Sequence, residues 1–115
     1  HDIGKLVLAG LDREHDPTVD HARVGAFLLG LWGIAEPIVN AIAYHHEPGA
    51  VPAHRAQLVD IVHVAAVVSS ELEASVARRD KAEIVDAAWS SRNDSSVLER
   101  ARALGREIWE QTSCA

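Results

Sequence analysis

The sequence predicts an all-α domain, a helical bundle of five to six helices. Three observations carry this. Apolar residues recur at helical spacing over long stretches, no segment of useful length alternates in strand fashion, and Gly, Pro and Asp fall where helices need caps and stops. A length of 115 residues suits one domain with one core, so residues 1–115 are read as a single unit.

The elements follow in order. His1 to about Ala9 reads as the end of a helix, with Ile3, Leu6 and Val7 on one face and Gly10 as its stop. Leu11 to Val19 is polar, contains Pro17, and reads as loop. Asp20 is a suitable N-cap for a helix from His21 to about Trp32, ended by Gly33. Pro37 suits a first helical position, and Ile38, Ala41 and Ile42 continue an apolar stripe toward His45. Glu47 to Ala53 carries Pro48, Gly49 and Pro52 and reads as loop. A long helix is expected from about Arg55 to Val76, with Leu58, Ile61, Val62, Ala65, Val68 and Leu72 at core spacing. Asp80 is placed to cap a short helix from Lys81 to Trp89. After the polar break Ser90 to Ser96, a last helix from Val97 to about Gln111 turns Leu98, Ala101, Leu104, Ile108 and Trp109 inward.

Composition narrows the function classes. The net charge of -6 argues against a protein that grips a nucleic-acid backbone, which needs a basic face. The apolar runs fall far short of the roughly 18 residues a membrane span needs. The single cysteine, Cys114, cannot form an internal disulfide and fits a reducing cytoplasm. No signal-peptide pattern is present. The chain has no Met and opens inside a helix, so it reads as the C-terminal fragment of a larger domain. On that reading Ile3, Leu6, Val7, Phe27, Leu28, Leu31 and Trp32 form an exposed apolar patch, and pairing with a second copy is expected.

Histidine placement is the most informative feature. Five of the seven histidines lie in the first 46 residues: His1, His15, His21, His45 and His46. Asp2 follows His1, and Lys5 shares its helix face. Three helix ends can therefore bring His1, Asp2, His21, His45 and His46 to one pocket. Imidazoles with one carboxylate suit Fe, Mn, Ni or Zn rather than Ca, and Lys5 is placed to neutralise a phosphate. The same residues admit blander readings. His1 and Asp2 can be a solvated helix terminus, and His45 and His46 can cap carbonyls at a helix C-terminus. His21 in a first turn suits a neutral, hydrogen-bonded ring. His15 reads as loop, His54 as loop and His63 as a helix-face residue. Trp32, Trp89 and Trp109 read as core or interface anchors, and Arg78-Arg79 as a solvated helix end.

The ordered set "HDIGKL", "DHARVGAFLLGLWGIAEPIVNAIAYHHEP" and "LVDIVHVAAVVSS" resembles the HD superfamily of metal-dependent phosphohydrolases. Within it the set is most similar to the HDOD domain, a signalling relative of the HD-GYP phosphodiesterases. The resemblance implies an all-α fold, His1 and Asp2 as the metal pair, and His21, His45 and His46 as further ligand positions. It implies Lys5 as the phosphate-facing lysine, with a catalytic role only in an active enzyme. Two departures argue against turnover. Glu47 to Pro52 stands where the Gly-Tyr-Pro motif of HD-GYP proteins would follow, and Ala66 stands where catalytic members place a last Asp ligand. Asp60 lies about two helical turns earlier. The resemblance thus implies a bacterial signalling output module working through protein contacts with an attached domain or partner, with nucleotide or metal binding. A metal-dependent phosphohydrolase acting on a nucleotide is the alternative.

Overall fold

The computed structural model describes residues 1–13, 16–77 and 85–113. Among them lie six α-helices and no strand: α1 (Ile3–Gly10), α2 (His21–Leu31), α3 (Glu36–Ala43), α4 (Gln57–Ala77), α5 (Ala87–Arg92) and α6 (Ser95–Ser113). Two 3-10 turns, Pro48–Ala50 and Ala53–Arg55, occupy the expected loop. The expected short helix from Lys81, its Asp80 cap, His15, Arg78, Arg79 and Cys114 lie outside the described residues.

Local chemistry explains the element ends. The Asp20 carboxylate accepts the Ala22 backbone N–H at 2.9 Å, satisfying a donor that the first turn of α2 leaves without an intrahelical partner. Gly33 takes a φ of +73° after α2, while the Ile34 N–H reaches back to the Leu29 carbonyl at 3.1 Å. Pro37 lies in the first turn of α3, as expected. Gly10 is not the stop of α1. It is the last helical residue, and the left-handed position is Asp12, at φ +56°. Asp has a short polar side chain that tolerates this conformation better than most residues do.

Packing runs in chain order: α1 against α2, α2 against α3, α3 against α4, and α4 against α6. Gly4 is where α1 meets α2. A Cβ there would lie 1.8 Å from the His21 carbonyl oxygen and 2.8 Å from the Gly25 nitrogen, so no larger residue permits this approach. A compact core gathers Ala41, Val51, Ala56 and Val59, with Tyr44 and Val62 against it.

The apolar faces of the two long helices depart from expectation. On α4 the buried set is Val59, His63, Ala66, Val67 and Val68, whereas Leu58, Ile61 and Ala65 are exposed. None of α6 is fully buried, and Leu104 and Ile108 are exposed. Leu98, Ala101 and Trp109 are half-buried. Of the expected α4 stripe only Val68 is buried, and Ile61, Val68, Leu104 and Ile108 line an open apolar cavity of about 680 Å³ between α4 and α6 rather than a filled core. The packing of α6 on α4 includes a forked ion pair, with Arg102 donating to Glu71 at 2.7 and 2.9 Å.

A candidate metal centre at three helix ends

The site is assembled by the Gly4 contact and by the double histidine that follows α3. Asp2 is the residue before α1, and His21 is the first residue of α2. Drawing α1 onto α2 brings their ends together. Asp2 Oδ1 lies 3.3 Å from His1 Nε2 and 3.4 Å from His21 Nε2. His46 Nε2 lies 3.1 Å from His21 Nε2. His45 is completely buried in the middle of the group, with ring centroids 3.9 Å from His46, 4.8 Å from His1 and 5.5 Å from His21.

All five expected ligand positions therefore converge. His21, His45 and His46 form one group, and His1, Asp2 and His45 another, with donor atoms in each within 4.8 Å of one another. His45 belongs to both. Its Nδ1–H donates to the Ile42 carbonyl at 2.7 Å, so in the neutral ring Nε2 carries the lone pair. This reconciles two readings of the sequence: one nitrogen of His45 satisfies a carbonyl at the end of α3, and the other faces the cluster.

The donor set fits a divalent transition metal. Two ligand atoms about 2.1 Å from a common ion, at 90–110° to each other, lie roughly 3.0–3.4 Å apart. The pairs His21–His46, His1–Asp2 and His21–Asp2, at 3.1, 3.3 and 3.4 Å, fall in that range, and the donors of each triad lie within 4.8 Å of one another. Asp2 Oδ1 is buried and accepts no hydrogen bond, which suits a carboxylate oxygen kept for a cation. Its other oxygen accepts from Lys5 Nζ at 2.9 Å. Burial raises the Asp2 pKa, but Lys5 and the His21 and His45 rings outweigh it, and the net shift is downward. The His21 pKa is lowered, first by burial and then by Lys5 and His46, against opposing pulls from Asp2 and Asp20. A neutral ring and an ionised carboxylate are the forms that bind metal.

Lys5 reaches the cluster, where it is tied to Asp2. Asp60 does not. Its carboxylate accepts from Arg92 at 2.8 Å, and Arg92 also donates to the carbonyls of Val51 and Pro48. No residue of α4 belongs to either ligand group, and Ala66 is buried in its interior face. His54 is exposed in the second 3-10 turn. His63, expected on a helix face, is instead completely buried, and Trp89 packs beside it with ring centroids 5.9 Å apart. The buried α4 stripe Val59–His63–Ala66–Val67 carries its signal, because His63 falls in phase with three core residues.

This fold and this cluster define an HD-type helical domain, and the HD domain family profile matches residues 1–88. The chain belongs to the HD domain family. Ribonuclease Y of Syntrophobacter fumaroxidans (strain DSM 10017 / MPOB) is 45% identical over 47 residues, which are 41% of this chain and 8% of that relative. The chain thus spans a small part of the curated relative it matches. No solved structure matches it significantly.

Proposed function

We propose that this domain is an HDOD-type regulatory module whose HD site holds a divalent cation, of the Fe, Mn, Ni or Zn class, without appreciable turnover. His1, Asp2, His21, His45 and His46 are the ligands in this reading. The observation that carries it is the ligand balance: the two ligand groups hold four imidazoles and one carboxylate, and no residue of α4 belongs to either. When bound, a cation of this class supplies Lewis-acid chemistry to phosphate oxygens and acidifies bound water. Asp2 is the only anionic member of the described cluster, and Lys5 neutralises part of its charge. Such a centre suits a site that reports metal or nucleotide occupancy to an attached signalling domain, through a helix face. Asp60, the nearest carboxylate earlier on α4, is committed to Arg92.

A metal-dependent phosphodiesterase is the second reading. Lys5 beside the cluster favours it, as does similarity to a protein named as a ribonuclease. One assay separates the two. The protein is loaded with Mn(II), Fe(II) or Ni(II) and followed on bis(p-nitrophenyl) phosphate, cyclic-di-GMP and a short RNA. The regulatory reading expects metal bound near one equivalent and no turnover. Turnover abolished by Asp2→Ala would establish the phosphodiesterase instead.

A further inference from the structure

His63 belongs to neither ligand group, yet it is wired to the site through the backbone of His45. Its Nδ1–H donates to the His45 backbone carbonyl at 2.7 Å. Its Nε2 accepts the Asp86 backbone N–H at 3.1 Å. One ring thus uses its donor on the peptide between the two cluster histidines and its acceptor on the residue that caps α5. Asp86 in turn accepts the Trp89 N–H on Oδ1 at 2.8 Å, and Trp89, only 2% exposed, anchors α5 against the body. A histidine carried by a long helix, completely buried, with both nitrogens spent on backbone groups 18 residues before it and 23 residues after it, is an unusual use of a polar side chain. Leaving either partner without its bond in the interior would be costly.

We infer that His63 is a positioning residue that couples the metal centre to α5, so that cation occupancy tightens the docking of α5 and a disturbed α5 weakens cation binding. The physical route is short. His45 is held on two sides: its ring by the Ile42 carbonyl and its carbonyl by His63. The peptide so fixed also carries His46, whose exposed ring reaches His21. A cation that orders His45 and His46 orders the carbonyl that His63 grips, and through Nε2 the Asp86 turn that begins α5. Coupling of binding free energies is reciprocal, so the effect runs both ways. The His63 side chain thus links the site to α5 beside the Arg92 bonds to the Pro48 and Val51 carbonyls, and α5 leads within three residues into α6. This inference rests on the proposed metal-holding function, and it gives that function an output.

The test uses Co(II), whose visible absorption reports ligation, together with amide hydrogen exchange over residues 85–92, on the whole chain. Two variants accompany the wild type. His63→Phe keeps a buried ring and removes both hydrogen bonds. His63→Gln keeps a donor and an acceptor. We expect Co(II) to slow exchange at residues 85–92 in the wild type. His63→Phe is expected to weaken Co(II) binding about tenfold or more, the usual range for lost outer contacts to a metal ligand, and to abolish the slowing. His63→Gln is expected to recover much of both. A folded His63→Phe protein with wild-type affinity and wild-type slowing overturns the coupling. If His63→Phe does not fold, the wild type decides through the NMR resonances of the His63 Nδ1–H and the Asp86 amide during Zn(II) titration. Shifts that saturate with the metal support the coupling, and unmoved resonances at saturation overturn it. Absence of any Co(II) band overturns the metal-holding reading and the coupling together, whereas a band with unmoved α5 exchange overturns the coupling alone.

Discussion

At the scale of single residues, the site depends on how each ring spends its two nitrogens. His45 gives Nδ1 to a carbonyl and presents Nε2 to the cluster, which is why a capping histidine and a ligand histidine can be one residue. That dual use could not be read from the sequence, where capping and ligation compete for the same position. The convergence of His1, Asp2, His21, His45 and His46 was legible, because three predicted helix ends carried them. His63 was not, because a polar residue in an apolar stripe declares itself only when the stripe's buried phase is known. Two outcomes follow at this scale. Asp2→Asn is expected to lower divalent-metal affinity tenfold or more in a Co(II) titration, since it removes the cluster's carboxylate charge. His21 gives a pH dependence. Its folded-state pKa lies below the unfolded value of 6.5, so the unfolded chain binds more protons just below that value. In a chelator-treated sample, the His21 contribution should be fully present above pH 6.5 and lost as the pH falls through the window below it. Urea midpoints measured at pH 7.5 and pH 5.5 should therefore differ more for the wild type than for His21→Asn.

At the scale of elements, the caps and close contacts set the geometry. The helix starts at His21 and Glu36 were legible because Asp20 and Pro37 have specific local jobs. Asp20→Ala should cost about 1 kcal/mol of stability, the usual value of a lost N-cap. Gly4→Ala should cost more, about 1–3 kcal/mol for overpacking, and should separate Asp2 from His21. Its signature is a combined fall in melting temperature and Co(II) affinity, whereas Asp20→Ala should affect mainly the former. The faces of α4 and α6 were legible only in part. Apolar periodicity states which residues share a stripe, not whether a neighbour fills the space before it. Leu58, Ile61, Leu104 and Ile108 recur at core spacing and still stand exposed. Among the described residues α5 begins at Ala87, with the Asp86 carboxylate on the Trp89 N–H, and it runs on to Arg92, into the stretch expected as a polar break.

At the scale of the whole molecule, the chain is wider than its length suggests. Its radius of gyration is 15.0 Å, against roughly 13 Å for a compact domain of this size. An open cavity lies between α4 and α6, and apolar side chains stand exposed at the end of α2. Phe27 is 70% exposed, Leu31 69% and Trp32 61%, with Ile34 and Ile38 following in the chain. Aromatic side chains contribute about 150–250 Å² each, so this stretch approaches the largest patch an ordinary monomer shows. Sedimentation velocity is expected to show a concentration-dependent dimer, which Phe27→Ser combined with Trp32→Ser should dissociate while leaving Co(II) binding intact. The central claim, that the cluster of His1, Asp2, His21, His45 and His46 holds a divalent cation, is tested most directly by titrating the chelator-stripped protein with Co(II) and recording its visible spectrum. A saturable band near one equivalent, lost in Asp2→Ala and in His45→Ala, is predicted. A spectrum indistinguishable from free aqueous Co(II), or a band that persists unchanged in both variants, would contradict it.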